Sequence, residues 1–267
     1  RTDTEGEEGA CMRELAFCLG NSRSALVWHA RKMTMEELWE KLQSPIRTAE
    51  TSAQYHAMKK REKDAVKDKG GFLPGTLKGT RRKATEVISR SMIALDYDRL
   101  EQGCFDDFAF KHCTIVYTTH SHTPEAPRAR ILMPLTRDVT PDEYNAIARY
   151  LADEIGMDTV DLCSFKVNQL MYWPTCSSDG EYICRRYEDD WLDPDAFLAS
   201  HPDWQDCSSL PTAPREKEAV ARERKKQADP MEKEGMVGTF CRAYPIQEAM
   251  QTFLSDVYEP TTDENRW

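Results

Sequence analysis

Ser91-Met92-Ile93-Ala94-Leu95-Asp96-Tyr97-Asp98 is the stretch on which the reading of this chain turns. A short apolar run of this kind suits a strand buried on both faces. It ends in two carboxylates. Residues i and i+2 of a strand share a face, so Asp96 and Asp98 are expected to project together from the edge of the core. Two like charges held so close repel, and their proton affinity rises unless a cation lies between them. Mg2+ or Mn2+ supplies such a cation with hard oxygen coordination. By the same argument, removing either carboxylate is expected to leave metal-free stability unchanged or higher. The plain alternative is a strand end meeting solvent, since D-x-D pairs arise readily by chance.

Working outward, Cys113–Thr119 and Arg128–Leu135 read as strands, and His120–Pro127 is short enough to join them as a hairpin. Thr140-Pro141-Asp142-Glu143 combines a threonine cap, proline at the first helical position and glutamate at the third. Tyr144, Ile147, Ala148, Leu151 and Ile155 give the helix that follows an apolar face. Further strands are expected at about 165–173 and 181–187. Upstream, residues 12–33 read as strands around the turn Gly20-Asn21-Ser22. Thr34 caps a helix through Leu42, with Glu37 completing a capping box. Residues 50–68 read as a second helix, ended by Gly70 and Gly71. This order predicts an α+β fold with a mostly antiparallel sheet. The expected organisation is a main domain at 1–200, a linker at 201–229 and a small helical unit at 230–267, in which Pro245 opens an amphipathic helix.

The 267 residues are enough for one good core and a smaller unit. A formal net charge of −10 argues against a protein that coats nucleic acid. Between Lys59 and Arg90, however, eleven basic residues face four acidic ones, a local balance of +7. Lys59–Lys69 is expected to be a solvated helix face. Lys78, Arg81, Arg82 and Lys83 follow the glycine-rich stretch Gly70–Gly75 and are expected to form a flexible cationic loop that binds template or triphosphate. The nine cysteines contain no C-x-x-C pair, which points to reduced thiols in a cytosol rather than a disulfide scaffold. A zinc site from Cys104, Cys113, Cys163, Cys176 and Cys184 lacks knuckle spacing. No apolar run approaches the roughly 18 residues of a membrane span, so no membrane partner is expected.

Two of the six histidines, His120 and His122, stand among the hydroxyls of Thr118, Thr119, Ser121 and Thr123. With Arg128 and Arg130 nearby, this segment suits a phosphate-binding surface. Asp161, after the long helix, is a third candidate carboxylate, with Asp158 as its competitor.

Taken in order, Asp96-Tyr97-Asp98, Thr118-Thr119-His120 and Val160-Asp161 resemble the three-part signature of the archaeo-eukaryotic primase superfamily. The likeness is closer still to the primase-polymerase domains of phage and plasmid replication proteins of the virulence-associated E type. It is carried by Gly20-Asn21-Ser22-Arg23, Arg47-Thr48-Ala49-Glu50-Thr51, Lys67-Asp68-Lys69-Gly70-Gly71-Phe72, Thr119–Pro124 with Pro127–Arg130, Gln169–Pro174 and Gly235–Tyr244. The resemblance implies an RRM-like antiparallel sheet, with Asp96, Asp98 and Asp161 holding two divalent ions. It implies that His120, in the context of Thr118, holds a nucleotide phosphate, assisted by Arg128 or Arg130, with His122 as the alternative histidine. The implied activity is DNA-primase and DNA-polymerase nucleotidyl transfer from NTPs or dNTPs on a single-stranded DNA template. The setting would be replication of a phage or mobile element in a bacterial cytoplasm, with a helicase region in the same full-length protein. Leu73-Pro74-Gly75 departs from the family pattern, as does Thr118, where serine is usual. Two rivals stand beside this reading. One is a rolling-circle nicking enzyme using His120-Ser121-His122 and a tyrosine nucleophile, Tyr144 or Tyr150. The other is an inactive nucleic-acid-binding replication module.

Overall fold

The computed structural model describes residues 13–218, 220, 235–244 and 246–253. Its main feature is an eight-stranded sheet in the order β10-β6-β7-β5-β4-β1-β2, with β8 also pairing with β4. The strands are β1 Leu15–Gly20, β2 His29–Met33, β4 Gly71–Leu77, β5 Val87–Tyr97, β6 Thr114–Thr118, β7 Ala129–Val139, β8 Met171–Tyr172 and β10 Cys184–Tyr187. Every pairing within it is antiparallel. A small parallel pair, β3 Ile46–Arg47 with β9 Thr175–Cys176, stands apart from it. The α+β class with an antiparallel sheet, expected from the sequence, is the fold observed.

The quoted stretch forms the C-terminal part of β5, whose residues from Arg90 to Tyr97 are all buried. Alternation along it divides the core in two. Ile93, Leu95 and Tyr97 join Tyr144, Ile147 and Leu151 of α5 (Pro141–Ile155) on one face. Met92 and Ala94 join Phe17, Phe72 and the α1 residues Leu38 and Leu42 on the other, α1 being Met35–Gln43. Asp96 continues the second row, so the carboxylates open on the sheet face away from α5. Both helices begin with the capping boxes expected, at Thr34/Glu37 and Thr140/Glu143.

The expected single helix at 50–68 is two, α2 Ser52–Ala57 and α3 Lys60–Lys67, and a short α4 (Cys104–Asp107) follows β5. Met58 and Lys59 are extended, and the Glu62 carboxylate caps the Lys59 N–H at 2.8 Å to start the second. The expected strand at 165–173 shrinks to Met171–Tyr172. Asp161 caps a 3-10 turn at Leu162–Phe165, and the buried Arg90 takes the Val167 carbonyl at 2.6 Å.

The glycine-rich stretch expected to be a flexible loop is strand β4. Gly75 has φ +153°, and a Cβ there would run into the Ser89 carbonyl oxygen. Its glycine allows β4 to pass from β1 to β5 at close approach.

The first compact unit extends to Ala213. Residues 201–213, read as linker from the sequence, pack on it: Leu210 and Ala213 are buried beside α5, with helix α6 (Pro194–Ala199) just before them. The second unit, from Pro214, includes helices Met236–Ala243 and Ile246–Phe253. Within it the rings of Phe240, Tyr244 and Phe253 lie 5.3–5.9 Å apart. Pro245, read as opening the second helix, lies outside the described residues. No helix among the described residues is long and apolar enough to cross a membrane.

Candidate active site

A cleft of about 330 Å³ opens at the end of β5, lined by Asp96, Asp98, Asp161, His120, Arg128 and Arg130 among others. Clefts of about 460 and 470 Å³ lie elsewhere and contain none of these residues. Backbone pairing fixes the three carboxylates. The Asp98 N–H donates to the Thr159 carbonyl at 3.2 Å, and the Asp161 N–H to the Asp96 carbonyl at 2.7 Å. Val160 bridges Tyr97. Ser164 accepts the Asp96 N–H at 2.9 Å, and Asp161 accepts the Cys163 N–H at 2.9 Å. The segment after α5 is thus stitched along the end of β5.

Asp96 in β5 and Asp98 just past it each carry an arginine, from β7 and from the residue before it respectively. Arg130 Nε donates to Asp96 Oδ2 at 3.2 Å, and Arg128 Nη1 to Asp98 Oδ1 at 3.0 Å. The first pair is buried and the second half exposed. Burial raises the Asp96 carboxyl above its ordinary value; Arg130 opposes this, while Asp98 and Asp161 add to it. Burial also pulls the Arg130 guanidinium down, but Asp96 and Tyr117 more than offset this and it ends above its ordinary value. Among the described residues no three His, Cys, Asp or Glu side chains are gathered closely enough to hold a metal ion as they stand. The donors nonetheless fit a hard divalent ion. Asp96 Oδ1 is buried without a hydrogen-bond partner, and three oxygen donors face one cleft whose arginines now balance them. Cys104, Cys113, Cys163, Cys176 and Cys184, which lack zinc-knuckle spacing, form no such group among the described residues, and all five are free thiols.

His120 reaches the cleft wall, but both its ring nitrogens are engaged. Nδ1 lies 2.8 Å from Thr175 Oγ1, and Nε2 lies 3.0 Å from Glu50 Oε1. The Tyr55 ring packs on it, centroids 4.2 Å apart. To donate to a phosphate, Nε2 would have to leave Glu50. His122 is buried elsewhere: Nε2 faces Glu181 at 3.3 Å and Nδ1 accepts the Arg128 N–H at 3.3 Å. It holds the turn that places Arg128, which corrects its reading as a phosphate ligand. Thr118 is fully buried, and its hydroxyl accepts the Ile183 N–H at 3.0 Å. Thr119, not Thr118, lines the cleft.

The basic turn is also corrected. Lys78, Arg81, Arg82 and Lys83 join β4 to β5 at the end away from Asp96, and none of them lines the cleft. Arg82 is half-buried, donating to the Asn168 carbonyl at 2.5 Å and lying 4.9 Å over the Trp28 ring. Of the basic segment from Lys59 to Arg90, the cations that do line the cleft are Lys60 and Lys67 of α3, the helix read as a solvated face. Glu50 was missed as well. It stands in the quoted Arg47–Thr51 match, where Thr48 donates to it at 2.6 Å, but nothing in the sequence tied it to His120.

The nicking rival loses its nucleophile here. The Tyr144 hydroxyl is buried and donates to the carbonyls of Ala94 and Ser164 at 3.2 and 3.0 Å. Tyr150 packs on His201, ring centroids 3.9 Å apart, and does not line the cleft. His120 and His122 hold different partners and share no site.

The fold and cleft define an α+β protein with an antiparallel sheet and an acidic site at the end of its central strand. The chain belongs to the VapE N-terminal domain family, whose model matches residues 9–213. That is the family type the sequence resembled. Among solved structures, the AEP domain of the cyanophage S-2L primase-polymerase aligns with 70% of this chain and 88% of its own, at 11% identity and a TM-score of 0.37. No curated protein matches the chain.

Proposed function

We propose that this chain is a primase-polymerase, a template-directed nucleotidyltransferase working from NTPs or dNTPs on single-stranded DNA. The observation that carries this reading is one cleft with three carboxylates, Asp96, Asp98 and Asp161, and four cations, Lys60, Lys67, Arg128 and Arg130. A site that joins a hydroxyl to a nucleoside triphosphate needs those two sets side by side.

Asp96, Asp98 and Asp161 would hold Mg2+ or Mn2+. When bound, such ions lower the pKa of an attacking hydroxyl and neutralise a triphosphate. The protein's own groups position the reactants. Arg130, fixed by Asp96, keeps that carboxylate in place. Lys60, Lys67 and Arg128 bind phosphate oxygens, Arg128 with a planar fork that suits them. His120 is held by Glu50 and Thr175 and shapes the wall beside Thr119. No protein nucleophile is required, because positioning and charge neutralisation carry the reaction. The proposed setting is replication of a phage or mobile element in a bacterial cytoplasm, in concert with a helicase region of a longer protein.

The test is primer synthesis and primer extension on single-stranded DNA, with each nucleotide class and each metal. Wild-type product that disappears in Asp98→Asn supports the reading. Absence of product under all conditions, or full activity of Asp98→Asn, overturns it.

A further inference from the structure

We propose that Arg128 occupies the place of the metal at Asp98 and passes to the triphosphate when the ion arrives. The inference rests on the nucleotidyl-transfer reading of the cleft and adds an order of assembly to it.

The two arginines of this site stand two residues apart but differ in freedom. The Arg130 guanidinium is buried on Asp96 and lies 5.7 and 5.6 Å from the ring centroids of Tyr117 and Tyr172. Nε on Asp96, Nη1 toward the Tyr172 carbonyl and the two rings hold it in place. The Arg128 side chain is 38% exposed and its partner Asp98 42% exposed, joined by one 3.0 Å contact. Its backbone, by contrast, is fixed on both sides. The N–H donates to His122 at 3.3 Å, and the carbonyl accepts the Thr119 N–H at 3.0 Å. An anchored stem therefore carries a guanidinium that is free to swing.

A half-exposed ion pair of this kind shifts an equilibrium by only about two- to fivefold. A divalent ion, with twice the charge and direct oxygen coordination, outcompetes a guanidinium for Asp98. Arg128 is then released into a cleft already lined by Lys60 and Lys67, where a triphosphate is the strongest anion for its fork. Before the ion binds, Asp98 occupies the cation that the nucleotide needs. Metal first and nucleotide second becomes the favoured order, without any movement of the sheet.

The test measures equilibrium binding of dATP to the full chain in EDTA. Asp98→Asn should bind dATP about two- to fivefold more tightly than wild type, the size of the released pair. Asp161→Asn removes the same charge without releasing Arg128 and should gain less. The double variant Asp98→Asn with Arg128→Ala should lose the extra gain. A second measurement titrates Mn2+ without nucleotide, read by the loss of the free-ion electron paramagnetic resonance signal. Arg128→Ala should bind Mn2+ more tightly than wild type, and Lys60→Ala should change it much less. Equal gains in Asp98→Asn and Asp161→Asn, or a gain that survives in the double variant, would overturn the exchange. So would Mn2+ binding that Arg128→Ala leaves unchanged or weaker. If Asp98→Asn does not fold, the Mn2+ comparison decides alone. A wild-type chain that makes no primer would defeat the transferase reading, yet these binding comparisons would still decide whether Arg128 and a metal compete.

Discussion

Asp96 and Asp98 share a strand face but not an environment, and this separates the effects of removing them. From sequence, mutual repulsion made both carboxylates destabilising without metal. In the structure Asp96 is the buried partner of a buried Arg130. Asp96→Asn leaves that guanidinium without its counter-charge, facing neutral partners only: the amide oxygen, the Tyr172 carbonyl 3.5 Å from Nη1, and the Tyr117 and Tyr172 rings. Breaking one half of a buried pair costs about 3 kcal/mol or more. Asp98→Asn breaks a half-exposed pair and should change stability by less than about 1 kcal/mol. Both should abolish nucleotide incorporation. Urea unfolding of the two variants, beside primer extension, checks this. Equal stabilities would mean that Arg130 does not depend on Asp96. Repulsion was legible in the sequence because i and i+2 share a face. The pairing was not, because it depends on the register that sets Asp96 opposite Arg130 across β5 and β7.

At the scale of elements, β4 and α3 exchange the roles that their compositions suggest. Glycines and a following run of cations suggested a phosphate loop, but a stretch of this composition also suits a strand that other backbones approach closely. Gly75→Ala should therefore cost about 3 kcal/mol or more, through the clash with Ser89 and the strained φ. A phosphate loop would tolerate the change with some loss of binding. Thermal melting separates the two, and an unchanged melting temperature with weaker nucleotide binding would restore the loop reading. For α3, charge alone could not tell a solvated face from a cleft wall. The break at Met58 and Lys59 sets α3 apart from α2, and Lys60 and Lys67 then line the cleft. Neutralising Lys60 and Lys67 together should weaken nucleotide binding and flatten its salt dependence. Neutralising Arg81 and Lys83 should do less, while Arg82→Ala should lower stability through its lost carbonyl and Trp28 contacts. Equal salt slopes for the two double variants would indicate a diffuse field and no special place for α3.

Across the whole molecule, the fold class, the long helix and the Asp96–Asp98 pair were legible because each rests on local periodicity or a cap, whereas Asp161 was singled out from Asp158 only by the resemblance to the primase signature. The histidine network was not, since Glu50, Thr175 and Glu181 approach His120 and His122 only through distant chain segments. That network gives the molecule a pH dependence. Burial holds His56, His112, His120 and His122 below the ordinary value of 6.5; Glu50 opposes this at His120 and Glu181 at His122. The unfolded chain takes up protons near pH 6.5 that the folded chain refuses. Unfolded molecules therefore bind more protons in this window, and stability rises with pH across it. The contribution is fully present above about pH 7 and is lost as the pH falls through 6.5 toward the depressed folded values. Each histidine contributes at most about 1.4 kcal/mol per pH unit. Asp96, raised by burial, works in the opposite direction, but it is common to the proteins compared. Five of the six tryptophans lie in residues 13–213, so their fluorescence reports that unit. The wild-type urea midpoint should be level from pH 8 to 7 and fall from 7 to 5. With both His120→Gln and His122→Gln introduced, the protein starts less stable but should fall less steeply over the same range. An identical slope in that variant would mean that neither histidine is held neutral by the fold.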